Sequence, residues 1–360
     1  MQAISTAEDL QMKTKFDINK LVRKNITGLK PYSSARDEFK QGDSKMVFLD
    51  ANENPFETGV NRYPDPQQTV LKNRLAELKG VSSENILLGN GSDEVLDLIF
   101  RAFCEPGKDN VITLPPTYGM YQVLAEINNI ENREVLLTAE FQPNVSEIFN
   151  KVDNHTKLIF LCSPNNPTGN LFSEVKILEI LNNFNGLVVI DEAYIDFAKR
   201  ESWIEKMKGF PNLVVTQTLS KAYGMAGIRL GICYASAEII QILNKIKPPY
   251  NVNELTQKRG LERVLDVISV KNEITEILAE RNRLFKALLE VYYIEKIYNS
   301  DANFILIKVD NAKLRYEQLL KKGIVLRNRT TQALCENTLR LTVGTATENQ
   351  QLMEAFRSLK

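Results

Sequence analysis

Short apolar runs alternate with longer amphipathic runs through most of the chain. ENILLGN, NVITLPP, TKLIFLC, GLVVIDEA, NLVVTQT and IRLGICYA are rich in aliphatic and β-branched residues and predict buried strands. Between or after them lie helix-like segments, among them GSDEVLDLIFRAFCE, TYGMYQVLAEIN, SEVKILEILNNF and YIDFAKRESWIEKMK. Strands separated by helical crossovers predict an α/β fold, with a mostly parallel sheet that is covered by helices on both faces.

The pattern changes at KPPYNVN, where two prolines interrupt it. A long helical stretch follows, with an interruption expected between residues 260 and 271, and then short strand-like and helix-like segments continue to the end. This predicts a smaller α+β domain. We expect residues 46–250 to form the large domain and residues 251–360 the small one. Residues 16–45 are expected to fold back as an arm that joins the small domain, and residues 1–15 to be a mobile polar segment.

Composition and charge exclude several kinds of protein. The 45 basic residues balance 45 acidic ones, which gives no reason to expect a nucleic acid or a membrane surface as partner. A single histidine, His155, argues against a His-dependent triad and a multi-His metal site. The four cysteines are far apart in apolar surroundings, which is typical of reduced thiols in a cytosolic protein. No apolar run approaches the about 20 residues of a membrane-spanning helix, and an apolar signal core is missing, so we expect a cytoplasmic protein.

The segment QTLSKAYGMAGIRLG places Lys221 directly after one apolar strand-like run and shortly before another. Gly224 and Gly227 allow the loop between these runs to turn tightly. A lysine that is desolvated there has a disfavoured ammonium form, so the neutral and nucleophilic amine that Schiff-base chemistry requires becomes accessible. For a serine–lysine pair taken alone, an ordinary loop position is nevertheless the commoner outcome.

Polar side chains follow the other predicted strands, at the edge where sheets of this kind bind ligands. In GNGSDE, Ser92 or Asp93 could either cap the helix that begins there or help to bind a phosphate. In VVIDEAYIDF a buried strand ends in Asp191, and a buried carboxylate requires a facing cation such as a protonated pyridine nitrogen. Tyr118 could cover a flat ligand, although a plain core or surface tyrosine is the commoner outcome. Asn166 could offer its amide to a ligand oxygen, although a plain turn also explains its position.

Together these motifs occur in the order and spacing of one family. The chain resembles the fold-type-I pyridoxal 5'-phosphate (PLP) aminotransferases of class II, and within them the branch that acts on L-histidinol phosphate. The motifs that carry the resemblance are LKPYSSAR, LDANENP, NRYPDP, GNGSDE, PPTYGMY, CSPNNPTG, DEAYIDF, TLSKAYGMAGIRLG, IVLRN and LRLTVGT. They cover nearly all of the chain after about residue 15. The resemblance implies PLP as cofactor and a large domain with a mostly parallel seven-stranded sheet, beside a smaller α+β domain.

The resemblance also implies roles for individual residues around the cofactor. Lys221 would form a Schiff base with PLP and shuttle a proton, and Asp191 would pair with the pyridinium nitrogen. Tyr194 and Asn166 would hold the phenolic oxygen of the ring, and Tyr118 would stack on it. The cofactor phosphate would be bound by Gly91, Ser92, Asp93, Ser220, Arg229 and, from a neighbouring subunit, Tyr63.

The reaction implied by the resemblance belongs to histidine biosynthesis. L-histidinol phosphate and 2-oxoglutarate would give imidazole-acetol phosphate and L-glutamate. One arginine site can serve both substrates, because a guanidinium pairs with phosphate and carboxylate alike. The implied substrate-binding residues are Asn52, Asn166, Arg327, Arg340 and, from a neighbouring subunit, Tyr32. An active site built from two chains implies a homodimer, with the arm at its interface.

Other activities stay open at this point. An aromatic amino acid aminotransferase, or a decarboxylase of an amino-acid phosphate, would share the cofactor-binding residues. A regulatory or interaction protein with a decayed site is a third alternative, which the intact Lys221, Asp191 and Arg229 disfavour. Tyr223 stands where phenylalanine is frequent in the family, a departure that leaves the implied chemistry unchanged.

Overall fold

The computed structural model describes residues 16–32 and 47–359. The predicted mobile segment, residues 1–15, and residues 33–45 of the predicted arm lie outside the described residues.

A seven-stranded sheet forms the centre of the large domain. Its strands are β1 (Ile86–Asn90), β2 (Asn110–Thr113), β3 (Glu131–Glu134), β4 (Thr156–Cys162), β5 (Leu187–Asp191), β6 (Leu213–Thr218) and β7 (Leu230–Tyr234). Their spatial order is β1-β7-β6-β5-β4-β2-β3. Strand β7 is antiparallel to β1 and β6, and the other neighbours are parallel. The prediction of a mostly parallel seven-stranded sheet is therefore confirmed.

Helices cover both faces of this sheet, which is why its central strands are buried and largely apolar. They are α1 (Lys24–Thr27), α2 (Thr69–Lys79), α3 (Ser92–Phe103), α4 (Met120–Ile127), α5 (Val145–Lys151), α6 (Glu174–Asn183), α7 (Ala237–Ile246) and α8 (Glu254–Leu265). Along β5, Val188 and Ile190 belong to one core cluster, while Leu187 and Val189 belong to the cluster on the other face. Because successive side chains of a strand point to opposite faces, a strand with two buried faces is a continuous apolar run.

The small domain is an antiparallel sheet covered by helices, as the α+β prediction requires. Its strands β8 (Ile294–Ile297), β9 (Phe304–Val309), β10 (Arg327–Asn328) and β11 (Thr338–Thr342) have the order β10-β11-β9-β8. Its helices are α9 (Val267–Leu288), α10 (Ala312–Lys321) and α11 (Ala346–Arg357). Leu288, Ile307, Leu319 and Phe356 lie in one fully buried core that these elements share.

The long helical stretch is interrupted where the sequence predicts it, since α8 ends at Leu265 and α9 begins at Val267. Helix α8 packs against the large domain: Val264 belongs to the core of the large sheet. A Cβ on Gly260 would lie only 3.1 Å from Cδ2 of Leu230, so this helix approaches the large sheet closely at that glycine. The packing of the large domain thus extends past the predicted domain boundary at residue 250.

The prediction that the N-terminal arm joins the small domain is wrong for residues 16–32. Ile18, Leu21 and Ile26 are buried in the core cluster beneath α3 of the large domain. Arg23 donates to the carboxylate of Glu105 at 3.3 Å. These apolar side chains find their burial against the large sheet's own helices, so the described part of the arm belongs to that domain.

The segment YIDFAKRESWIEKMK does not form the predicted helix. It contains two short 3₁₀ helices, Ile195–Phe197 and Trp203–Gly209. The buried carboxylate of Glu192 accepts the backbone N–H of Trp203 at 2.7 Å, and Ser202 caps the second turn. These contacts fold the chain back before a longer helix can form. Further 3₁₀ turns are Ile18–Lys20, Ser83–Asn85 and Ala226–Ile228.

The two domains meet beside the end of β5. The ring of Tyr194 packs edge-on against Phe304 of the small sheet, with centroids 5.1 Å apart. The carboxylate of Asp301 accepts the backbone N–H of Leu171 at 2.9 Å, which ties the small domain to the loop after β4. Within the described ranges, the helices are all too short or too polar to cross a membrane. The four cysteines are buried and unpaired.

Candidate active site

A cavity of about 560 Å³ lies between the carboxyl ends of β4, β5 and β6 and the strands β10 and β11 of the small sheet. The large sheet supplies the ends of buried strands, and the small sheet supplies a row of arginines. The predicted site residues that line this cavity are Ser92, Asp93, Tyr118, Asn166, Asp191, Tyr194, Ser220, Lys221, Arg229, Arg327 and Arg340. Residues far apart in the chain thus meet in one place.

Lys221 lies in the loop that follows β6, three residues after the strand ends at Thr218. The backbone N–H of Leu219 donates to the carbonyl of Leu230 at 3.1 Å, which anchors the loop at its base. The exposed surface of Lys221 faces the cavity, and its Nζ lies 5.7 Å from the centre of the Tyr194 ring. Its pKa is lowered, first by desolvation and then by the positive charge of Arg340. The amine is therefore easier to deprotonate than an ordinary lysine, in agreement with the sequence prediction.

Asp191 ends β5 and is 3% exposed. Its Oδ2 accepts a hydrogen bond from the Tyr121 hydroxyl at 2.7 Å, and its Oδ1 accepts the backbone N–H of Ala193 at 3.1 Å. Burial raises the pKa of this carboxyl, and the two hydrogen bonds oppose that rise because they stabilise the charged form. An adjacent cation in the cavity would favour the carboxylate further.

Tyr121 is a site residue that the sequence analysis does not assign. It is fully buried and stacks on Phe160 with centroids 4.9 Å apart. The available signal is its position in PPTYGMY, three residues after Tyr118. Nothing in that spacing indicates that its hydroxyl reaches the end of β5, because the contact depends on how α4 packs against the sheet.

The start of α3 forms an anion cradle with Arg229. Gly91 precedes the helix with a φ of +83°, a left-handed value that favours glycine. A Cβ at Gly91 would lie 2.6 Å from Nη2 of Arg229, so a side chain at this position would displace that guanidinium from the cradle. The backbone N–H groups of a helix start, together with a guanidinium, are well suited to a phosphate.

Two further contacts orient this cradle. Asp93 accepts a hydrogen bond from the hydroxyl of Tyr118 at 3.0 Å and lies 3.6 Å from Nη2 of Arg229. Arg229 also donates to the hydroxyl of Ser220 at 3.5 Å. The side chain of Asp93 therefore positions an aromatic ring and an arginine. The cradle thus fits a flat ring that carries a phosphate, with Asp191 available for a protonated nitrogen of that ring.

Asn166 joins the two sides of the cavity. Its Nδ2 donates to the hydroxyl of Tyr194 at 3.4 Å, and its Oδ1 accepts from Nη1 of Arg340. The Arg340 guanidinium also lies over the ring of Phe304, 5.1 Å from its centre. Burial, followed by the positive charge of Arg329, lowers the pKa of Arg340 to about 10. Arg340 is therefore a partly buried cation held beside the strand ends.

Four predicted site residues are not among those that line this cavity: Gly91, which lies directly before the cradle helix, and Asn52, Tyr63 and Tyr32. Asn52 and Tyr63 line a second cavity of about 420 Å³, where Tyr63 stacks on Tyr250 at a centroid distance of 4.5 Å. Tyr32 is 74% exposed. The placement of Asn52 in the substrate site is not reproduced within the single chain, because its loop leads away to this second cavity. For Tyr63 and Tyr32 the prediction concerns a neighbouring subunit, and it stays a prediction.

Arg329 and Gln332 also line the main cavity, and the sequence analysis assigns neither of them. Arg329 stands two residues after Arg327 in LRNRT, a spacing that places both side chains on one face of a strand. That signal is available in the sequence once the segment is recognised as a strand.

Comparisons with known proteins agree with this geometry. Residues 37–356 match the family profile of the class I and II aminotransferases. The chain is 66% identical over 345 residues to the histidinol-phosphate aminotransferase of Christiangramia forsetii, covering 96% of this chain and 99% of that protein. It is 64% identical over 345 residues to the enzyme of the same name from Flavobacterium johnsoniae, with the same coverage of 96% and 99%.

Solved structures show the same fold. The histidinol-phosphate aminotransferase of Sinorhizobium meliloti, determined in complex with pyridoxal-5'-phosphate, aligns with a TM-score of 0.76 and 24% identity, over 83% of this chain and 84% of that one. The predicted PLP-dependent fold type I is thereby confirmed. The chain belongs to the class I and II aminotransferases, and within that family to the histidinol-phosphate aminotransferases.

Proposed function

We propose that this protein catalyses the PLP-dependent transamination of L-histidinol phosphate with 2-oxoglutarate, giving imidazole-acetol phosphate and L-glutamate. One observation carries the proposal: a single cavity has Lys221 and Asp191 on its large-domain side and arginines without carboxylate partners among the described residues on its small-domain side. An amine with a lowered pKa suits amino-group transfer, and the arginines suit substrates that carry a phosphate or a carboxylate.

The residues on the large-domain side fit PLP. The start of α3, with Ser220 and Arg229, would hold its phosphate, and Tyr118 would lie against its ring. Asp191 would face the ring nitrogen, while Asn166 and Tyr194 would hold the phenolic oxygen. When bound, the cofactor supplies an electron sink for the negative charge that develops at the substrate Cα.

Lys221 serves as the base. Desolvation and the nearby arginines lower the pKa of Nζ, which favours the neutral amine that would accept the proton of the substrate Cα. The hydrogen bonds that Tyr121 and the N–H of Ala193 donate to Asp191 favour its carboxylate form, and a cation facing it in the filled site would favour that form further. Lys221 and Asp191 therefore line the same cavity, the first as a proton acceptor and the second as a fixed negative charge.

The arginines of the small domain explain how one site accepts two different substrates. L-histidinol phosphate carries a phosphate and no carboxylate, whereas L-glutamate carries two carboxylates. Arg340 and Arg327 would bind the anionic group of whichever substrate is present, because the guanidinium fork matches both groups. The site would thus recognise the negative charge that both substrates carry, and not the shape of one of them.

The proposed enzyme is a homodimer with shared active sites. Tyr32 and Tyr63, expected to reach the site of a neighbouring subunit, are 74% and 51% exposed in the single chain. Leu49 and Phe56, in the same stretch of chain as Tyr63, are 88% and 77% exposed. Several large exposed apolar side chains within residues 49–63 support a protein interface there. We expect that interface to carry both tyrosines into the partner's cavity.

The proposal is tested by supplying the PLP-loaded protein with 2-oxoglutarate and one amino donor at a time. L-histidinol phosphate should give L-glutamate with a kcat/KM at least about tenfold higher than phenylalanine or tyrosine. Release of carbon dioxide is measured in parallel. Preferred use of an aromatic amino acid would show that the protein is an aromatic amino acid aminotransferase. Release of carbon dioxide from an amino-acid phosphate would show that it is a decarboxylase.

A further inference from the structure

We propose that Arg329 is a third anion-binding arginine of this active site and that it favours a phosphate over a carboxylate as the substrate's anionic group. This rests on the proposed function, because it names the residue that distinguishes the phosphomonoester substrate from the dicarboxylate. Arg329 lines the same cavity as Arg327 and Arg340.

The strand register places these arginines together. Arg327 on β10 is paired directly with Arg340 on β11. The ladder continues beyond β10, since the backbone N–H of Arg329 donates to the carbonyl of Thr338 at 2.9 Å. Side chains alternate between the two faces of a strand, so residues 327 and 329 share a face, and so do 338 and 340. Three arginine side chains therefore project from one face of a two-stranded edge.

These arginines have no acidic partner in the described part of the chain. Among the ion pairs of those residues, none includes Arg327, Arg329 or Arg340. Nε of Arg329 and Nε of Arg340 are buried without a hydrogen-bond partner, and so is Oε1 of Gln332. A buried donor left unsatisfied is costly, so a ligand is expected to complete these groups.

The carboxylates of the cavity are engaged elsewhere. Asp93 contacts Tyr118 and Arg229, and Asp191 accepts from Tyr121. The arginines consequently repel one another: after burial, the charge of Arg329 is the next cause of the lowered pKa of Arg340, and the charge of Arg327 acts in the same way on Arg329. Like charges on adjacent strands destabilise a sheet unless an anion lies between them.

The charge of the ligand decides which substrate gains most from a third arginine. A phosphomonoester carries about −1.5 to −2 charges at pH 7 and three acceptor oxygens. A carboxylate carries a single negative charge and two oxygens, and one bidentate arginine already matches it. Loss of Arg329 should therefore weaken the binding of the phosphate substrate more than the binding of L-glutamate.

The test uses the PLP-loaded enzyme, in which the cofactor occupies the cradle at α3. We would compare Arg329→Gln, Arg329→Lys and the control Arg357→Gln with the unaltered protein. Arg357 is an exposed arginine of α11 that pairs with Glu290 at 2.8 Å, outside the cavity. The two half-reactions are measured separately, and calorimetry gives the Kd of inorganic phosphate, which does not depend on turnover.

Arg329→Gln should raise the KM for L-histidinol phosphate by about 10- to 100-fold, as expected for one lost charge-assisted hydrogen bond, and that for L-glutamate by about threefold or less. The Kd of phosphate should rise about tenfold. Arg329→Lys should recover part of both losses, and Arg357→Gln should change neither. Phosphate affinity and KM values of Arg329→Gln and Arg329→Lys within about twofold of the unaltered protein would overturn the assignment.

The outcome also separates this assignment from the proposed function. If the unaltered protein binds phosphate through Arg329 but does not transaminate L-histidinol phosphate, the anion site stands and the proposed substrate is wrong. If it transaminates L-histidinol phosphate and the phosphate affinity is independent of residue 329, the proposed function stands and the role of Arg329 is wrong.

Discussion

The hydroxyl of Tyr121 donates to Oδ2 of Asp191 at 2.7 Å, and both side chains are buried. Helix α4 therefore reaches across the sheet end to hold the carboxylate that would face the cofactor nitrogen. Because the hydrogen bond stabilises the charged carboxylate, it keeps the pKa of Asp191 lower than burial alone would make it.

Tyr121→Phe should consequently raise the pKa of Asp191. The carboxylate would then be protonated at a higher pH, so the acid limb of the kcat/KM profile should move upward in pH. Loss of a hydrogen bond to a charged group corresponds to about 1.5 to 3 kcal/mol, or roughly a 10- to 100-fold loss of activity below the shifted limb. The control is Tyr292→Phe, since Tyr292 is 75% exposed. An unshifted profile would mean that Tyr121 only packs.

Lys221→Ala should fold and retain PLP through the contacts of α3, Arg229 and Asp191, but it should lose turnover by roughly two to four orders of magnitude. The base and the covalent attachment point would both be absent. The control is Lys296→Ala, because Lys296 lies in β8 over the ring of Tyr298 and does not line the cavity. After borohydride reduction, mass spectrometry should find the cofactor attached to the unaltered protein and to Lys296→Ala, but not to Lys221→Ala. Substantial transamination by Lys221→Ala would contradict the assignment.

Arg340→Ala should impair both half-reactions while PLP stays bound. A bidentate contact comprises two charged hydrogen bonds of about 1.5 to 3 kcal/mol each, which implies a loss of roughly two to four orders of magnitude in kcat/KM. Arg340→Lys should recover only part, because an ammonium retains the charge but lacks the fork. An effect on one half-reaction alone would show that Arg327 or Tyr32 recognises the other substrate.

Shared active sites can be tested by mixing two inactive variants. Lys221→Ala lacks the base, and Tyr63→Ala is expected to lack a phosphate contact made across the interface. In a hybrid dimer one site carries both defects and the other carries none. Equal mixing with subunit exchange should therefore restore roughly a quarter of the original activity, because half of the dimers are hybrids with one intact site. Absence of recovery in verified hybrids would place Tyr63 in its own chain's site or outside both.

Burial on two faces explains which strands could be predicted from the sequence. Val188, Val189 and Ile190 are completely buried, and such apolar runs identify the centre of the sheet. Strand β3, with the sequence ENRE, is a half-exposed edge strand that carries no apolar signal, and it is recognisable only from its pairing with β2.

Some residues of the candidate site could likewise be predicted from the sequence, and others could not. Lys221, Asp191 and Arg229 lie in motifs that can be recognised locally, and the structure brings their side chains to one cavity. The contact of Tyr121 with Asp191 joins residues 70 positions apart and depends on helix packing. The place of Arg329 depends on the β10–β11 register. Contacts of this kind are set by tertiary structure, which short motifs do not specify.

Strand β10, the short hairpin partner of β11, belongs to a different domain from Lys221 and Asp191. Strands β10 and β11 rest on the small domain's own core, whereas the cradle at α3 and the end of β5 rest on the core of the large sheet. A mutation at Arg327 or at Arg329 just after β10 is therefore expected to alter the accepted anion without removing the contacts of Lys221 and Asp191. In this chain the choice of anion and the chemistry therefore rest on separate cores, so we expect a few substitutions in one small segment to change substrate preference.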